Sequence, residues 1–100
     1  MPFEVMETEQ FTLLFETLEP AEKEWIRKII RQLETNIHTG KSLGPEWFRE
    51  KKYEGKRLYF IIYPVNEKAL LVAFGPKKRQ QEIIDLVRKN IDVYRKTIEE

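Results

Sequence analysis

Apolar residues recur along this chain in two rhythms, and the change between them near Trp47 separates a helical first half from a β-rich middle. Phe3 to Thr8 alternates as a short strand does, with Phe3 and Val5 on one face, and Thr8 is placed to cap a helix running through Leu18. That helix is expected to bury Phe11, Leu14, Phe15 and Leu18. Pro20 suits the first turn of a second helix, in which Trp25, Ile26, Ile29, Ile30, Leu33 and Ile37 keep the helical period. The two should pack as a hairpin. Gly40 is placed to stop the second helix, and Gly44-Pro45 breaks the chain again.

From Trp47 onward strict alternation takes over, predicting strands over Trp47–Tyr53, Arg57–Val65 and Ala69–Phe74, joined by turns at Glu54-Gly55 and Asn66-Glu67. The segment LYFIIY in the middle strand is nearly all apolar, so that strand should be central and covered on both faces. Gly75-Pro76 ends the sheet. A last helix is predicted from about Lys78 to Ile98, with Ile83, Ile84, Val87, Ile91, Tyr94 and Ile98 on one stripe. The fold class is therefore α+β: a strand, a helical hairpin, a three-stranded antiparallel meander and a C-terminal helix.

Composition narrows the function classes. In 100 residues, 41% apolar and 12% aromatic, there is material for one core, and a single domain over residues 1–100 is expected. The absence of cysteine excludes disulfides, thiolate metal sites and a thiol nucleophile, and cytoplasm is the expected location. No apolar stretch approaches the roughly 18 residues of a membrane span, and Glu4, Glu7 and Glu9 stand where a signal peptide would carry bases. Neither export nor a membrane partner is expected.

The net charge of +1 conceals an uneven distribution, because residues 1–24 hold seven carboxylates against Lys23 alone, a balance of −6 that leaves +7 on the remainder. Those cations gather at Arg49, Lys51, Lys52, Lys56 and Arg57 on the predicted hairpin, and again at Lys77, Lys78 and Arg79 after the last strand. Alternation puts Arg49 and Lys51 on one face of their strand and Lys52 on the other, so only a subset can converge on one ligand. Converging cations position phosphates and stabilise the extra negative charge of a pentacoordinate phosphorane. The same residues equally suit a solvated, lysine-rich surface that discourages strand pairing. Tyr53 and Tyr59 lie among these bases and are the candidates to stack on a nucleobase, while Phe60 to Tyr63 read as core. His38, the only histidine, reads as a helix-end or surface residue, and Trp47 as a core lid or a partner contact. No phosphate-binding loop, dinucleotide fingerprint, zinc spacing or nucleophile elbow is present, and no cofactor or metal is expected.

Three stretches together, EKEWIRKIIRQLE, KSLGPEWFREKKYEGKRLYFIIY and ALLVAFGPKKRQQEII, resemble the toxins of the RelE/ParE superfamily in order and spacing. The resemblance implies a toxin of a toxin–antitoxin system, held in check by an acidic antitoxin protein. In that superfamily some members cleave messenger RNA on the ribosome with lysines and arginines of the sheet, without metal, and others poison DNA gyrase. Carried over by position, the catalytic bases fall on Arg49, Lys51 and Arg79, and Lys52, Lys56, Arg57, Lys77, Lys78 and Tyr59 are the accompanying RNA-binding residues. Two positions depart from the pattern. The family's arginine early in the central strand falls on Phe60, with Lys56 or Arg57 as substitutes, and its C-terminal tyrosine falls near Asp85, more than two turns before Tyr94. A catalytically weak, protein-binding relative is thus the alternative reading, because loss of one preorganised cation costs about a hundredfold in rate.

Overall fold

The segment Lys56–Tyr63 carries large apolar side chains in both directions, so it must be paired on each side and covered above and below. In the computed structural model, which describes residues 3–99, it forms the middle of a sheet. The strands are β1 (Glu4–Glu7), β2 (Lys41–Ser42), β3 (Phe48–Tyr53), β4 (Lys56–Tyr63) and β5 (Lys68–Pro76). Their spatial order is β1-β5-β4-β3-β2, with β1 parallel to β5 and the other neighbours antiparallel. The helices are α1 (Glu9–Glu16), α2 (Pro20–Thr35), α3 (Gln80–Lys89) and α4 (Ile91–Glu99).

Alternation along β4 divides the molecule into three layers. Leu58, Phe60 and Ile62 point toward Phe11 of α1 and Ile26, Ile29 and Leu33 of α2, while Tyr59, Ile61 and Tyr63 point toward Ile83 and Val87 of α3 and Tyr94 and Ile98 of α4. Each such aliphatic side chain contributes on the order of 1.5–3 kcal/mol when fully buried, so both helical layers are held mainly by this one strand and its neighbours.

The helix boundaries follow local chemistry. Thr8 caps α1 through its Oγ1, which accepts from Phe11 N–H at 3.0 Å. Pro20 opens α2, as expected, but α2 closes at Thr35 rather than near Gly40. The reason is Asn36, whose Oδ1 accepts from His38 N–H at 3.1 Å and offers the backbone a turn in place of another helical residue. Gly40 does something different: at φ +86° it brings the chain against β3, and a Cβ there would lie 2.5 Å from the Glu50 carbonyl. That approach creates β2, a strand of two residues that alternation cannot reveal.

The last helix is two helices. Asn90, with its Nδ2 donating to Leu86 O at 2.8 Å, interrupts the predicted run, and its own carbonyl starts α4 by accepting from Tyr94 N–H at 3.1 Å. The break lets both halves stay on the sheet, with Ile83, Val87, Tyr94 and Ile98 in one core. Lys68 Nζ, 2.6 Å from Ile98 O, satisfies a terminal carbonyl of α4 and complements its negative end.

Glu22 ties the helical layer to the hairpin. One carboxylate oxygen accepts from Glu19 N–H at 3.1 Å at the start of α2, and the other is paired with the Lys56 ammonium on β4. The hydrogen bond from Lys56 holds the Glu22 carboxyl below its ordinary value; burial opposes this, and the Glu19 N–H reinforces it. Stability from such a depressed carboxylate is present above its unfolded value near 4.5 and is lost as pH falls through the lower folded value. Glu22→Gln is accordingly expected to lower stability by about 2 kcal/mol at neutral pH and to flatten the acid limb of the stability curve. Urea titrations from neutral pH down to pH 3 check this, and parallel curves for the two proteins would exclude the role.

Candidate nucleic-acid interface

The hairpin register assigns each charged residue to a side. Facing residues in an antiparallel pair share a face, and the pairs here are Arg49 with Phe60, Glu50 with Tyr59, Lys51 with Leu58, Lys52 with Arg57 and Tyr53 with Lys56. Since Phe60 and Leu58 look toward α1 and α2 and Tyr59 toward α3 and α4, Arg49 and Lys51 lie on the first side, Glu50, Lys52 and Arg57 on the second. The expected trio of Arg49, Lys51 and Arg79 therefore does not converge.

Arg49 has a different task. Its guanidinium is buried and donates from Nε to Thr39 O at 3.1 Å, from Nη2 to His38 O at 3.0 Å and Gly40 O at 2.8 Å, and from Nη1 to Glu46 O at 3.2 Å and Glu46 Oε1 at 3.4 Å. All its donor directions are committed to closing the segment between α2 and β3. Lys51 is half-buried on the same side, beside a shallow hollow of about 410 Å³ that Lys41, Lys52, Gly40 and Glu50 also line. Lys56 is held by Glu22 and lies over the Phe74 ring at 5.6 Å, facing α2.

On the other side a cationic end is assembled. β5 runs out opposite the start of β4, with Gly75 facing Arg57, and Lys77 N–H donates to Gly55 O at 3.3 Å. The chain then makes a 3-10 turn through Lys77, Lys78 and Arg79, all exposed, before α3 begins. Lys52 is exposed directly across from Arg57. Lys52, Arg57, Lys77, Lys78 and Arg79 thus share one end of the sheet on the α3 side. Arg79 is paired with Glu82 at 3.0 Å, and its guanidinium draws the Glu82 carboxyl below the ordinary range.

At the root of this end sits a polar group that neither composition nor motif indicates. Glu50 is buried, with Oε2 at 3.1 Å from Arg57 Nε and accepting from Gln80 Nε2 at 2.8 Å. Arg57 Nε lies off the hydrogen-bond direction, so the contact is one of charge alone. Tyr59 is wholly buried beside them and its hydroxyl has no hydrogen-bond partner, which removes it as a base-stacking surface. Burial pushes its phenol up, the Glu50 charge adds to this, and the Arg57 charge opposes it. Tyr53 also has its ring occupied, packed on Trp25 at 4.9 Å. The signal for Glu50 was present in the two-residue turn, which fixes the register and so sets an acid on the face of Lys52 and Arg57. Gln80 had no such signal, because it arrives from a helix start far along the chain.

At the opposite end of the same face, Trp47, Tyr63, Val65, Ile91 and Arg95 line a hollow of about 590 Å³. Trp47 stands at its rim, stacked on Phe48 at 5.9 Å, and Arg95 lies over the Tyr63 ring at 5.1 Å. His38 is exposed and contributes its carbonyl to the Arg49 cluster.

A five-stranded mixed sheet between two pairs of helices, with one cationic end, defines a small three-layer α+β fold. That fold is the fold of the RelE toxins. A variant of the E. coli toxin RelE in the free state matches with a TM-score of 0.75 at 13% identity, over 89% of this chain and 98% of that one. The isolated E. coli RelE toxin matches with a TM-score of 0.64 at 15% identity, over 87% and 97%. RelE in the intact E. coli RelBE toxin–antitoxin complex matches with a TM-score of 0.63 at 15% identity, over 74% and 95%. No family model matches the sequence, and no curated protein does. Among the described residues, no helix is long and apolar enough to cross a membrane.

Replacing Arg49 by Met leaves the carbonyls of His38, Thr39 and Gly40 without their donor and is expected to cost about 3 kcal/mol, whereas Lys51→Met should cost less than about 0.5 kcal/mol. Urea unfolding of the two variants measures the difference, and equal losses would remove the latch role assigned to Arg49.

Proposed function

We propose that this chain is the toxin of a toxin–antitoxin pair, an endoribonuclease that cuts translated messenger RNA with a group of cations and no metal. The observation that carries the reading is the joint presence of the RelE fold and the cationic end formed by Lys52, Arg57, Lys77, Lys78 and Arg79. These residues replace the trio carried over by position: Arg79 is retained, Arg49 is committed to backbone carbonyls, and Lys51 faces the other helical layer. In the reaction the 2′-oxygen bonds to its own phosphorus, the bond to the 5′-oxygen breaks, and the proton passes from the first oxygen to the second. The products are a 2′,3′-cyclic phosphate and a 5′-hydroxyl. Lys52 and Arg57 would seat the phosphate, and Lys77, Lys78 and Arg79 would stabilise the charge that grows on its oxygens. The ribosome supplies the message in its decoding site. The partner is an acidic antitoxin, whose carboxylates suit the same cations; among the structures that share this fold is a RelBE toxin–antitoxin complex.

One observation favours a second reading, a non-catalytic binding module of the same fold. Arg57 is neutralised by Glu50 and Arg79 by Glu82, so two of the five cations already have carboxylate partners within the chain. Inducible expression separates the two readings. As a nuclease the protein arrests growth, primer extension on translated messages shows new cuts, and Arg79→Ala or Lys77→Ala reduces cutting about a hundredfold without loss of fold. Undisturbed growth, uncut messages and a stably co-purifying partner would instead establish the binding module; stabilised cleavage of DNA with intact messages would point to gyrase.

A further inference from the structure

Arginine is buried twice on this hairpin, and the two guanidiniums are treated differently. Arg49 makes five hydrogen bonds, four of them to carbonyls, as a structural arginine does. Arg57 has the single charge contact with Glu50 at 3.1 Å, and its buried Nε has no hydrogen-bond partner. The groups around the Glu50 carboxylate are otherwise donors: Gln80 Nε2 at 2.8 Å, and the wholly buried Tyr59 hydroxyl, which has no partner. A guanidinium and an amide on one small oxyanion, with an uncommitted hydroxyl buried nearby, are the kinds of donor that a phosphate uses.

We propose that the Glu50 carboxylate stands in for a phosphate, as an internal competitor that keeps the Arg57 seat filled until an external phosphodiester displaces it. The idea deepens, and rests on, the reading of this face as an RNA surface. A carboxylate brings one negative charge and two oxygens, and in this seat only Oε2 is engaged, by Arg57 and Gln80 together. An RNA phosphate brings the same charge with a fuller set of acceptors, and it also meets Lys52, Lys77 and Lys78 on the exposed rim, which Glu50 does not. The displaced carboxylate has a place to go. Lys41 on β2 faces Glu50 in register, so it lies on the same side of the sheet, and Lys41 and Lys52 both border the shallow hollow at this edge of the sheet. Turning outward, Glu50 exchanges one cation for another instead of being left buried and unpaired. Affinity for RNA in the free chain is therefore lowered by the work of that exchange. A surface that delivers a phosphate already held in place, as a ribosome-bound message is, meets the barrier with its binding energy.

The test compares the wild-type chain with Glu50→Gln, Gln80→Ala, Arg57→Gln and the double variant E50Q/R57Q. Binding of a short single-stranded RNA is followed by fluorescence anisotropy across a salt series, and Tm is followed against added sulfate. E50Q is expected to bind RNA about tenfold more tightly at low salt, with the slope of log affinity against log salt steeper by about 0.7. Its Tm should rise with sulfate more than the wild type's does. Q80A, which keeps both charges and removes one hydrogen bond from the carboxylate, should show a smaller gain of about threefold, and it serves if E50Q folds poorly. The gain of E50Q must vanish in E50Q/R57Q. A gain that persists without Arg57, or no gain in either E50Q or Q80A, overturns the proposal. A sulfate response that needs Arg57, with no RNA binding by any variant, supports the seat and removes the RNA reading; RNA binding unaltered across the set, with no sulfate gain, keeps the RNA reading and overturns the seat.

Discussion

The charged side chains of the hairpin are sorted to their faces by the uncharged run Leu58–Tyr63 of β4. β4 is buried along nearly its whole length, and both helical layers close on it, so its alternation cannot slip by one residue without exchanging two complete sets of core side chains. β3 is locked to β4 by a two-residue turn and inherits that alternation. The sorting of Arg49 and Lys51 to one side and of Glu50, Lys52 and Arg57 to the other is thus a by-product of packing Phe60 against one layer and Tyr59 against the other. Electrostatics did not choose the faces; hydrophobic burial did, and the charges were accommodated afterward.

That accommodation takes two forms. Arg49 is surrounded by carbonyls that the turn between α2 and β3 leaves over, and the ring of acceptors makes its burial tolerable. Arg57 and Glu50 neutralise one another in a place where neither is fully hydrogen-bonded. A pair of that kind adds little to stability compared with an apolar pair of the same volume, so its persistence is better explained by what the guanidinium can exchange its partner for. The exposed cations of the 3-10 turn stand at the end of the sheet where this buried pair lies, because Lys77 N–H donates to Gly55 O just before Arg57.

Most of the architecture was legible because it rests on long, strongly periodic segments. The alternation of Phe3 to Thr8, the cap at Thr8, Pro20 at the head of α2 and the all-apolar LYFIIY each carry their own local cause. The elements that escaped depend on partners far off in sequence. β2 exists since Gly40 lets two residues reach β3, and the division between α3 and α4 turns on one asparagine within an unbroken apolar stripe. The candidate site shows the same split. The basic clusters were visible, as was the fact that they could not all converge, but the choice of subset needed the register of Tyr59 and Phe60 against β3. Tyr59 looked like an available ring among cations, and only the helix arriving above it from Gln80 onward reveals that it is enclosed.

The sheet's two borders are both brief: β1 is four residues with a glutamate at each end, and β2 is only two residues long. Each edge strand itself offers a neighbouring copy only a brief ladder on which to extend the sheet. For a chain with two long, sticky inner strands and a net charge of only +1, this shortness is a safeguard against fibrous self-association that charge repulsion alone would not provide.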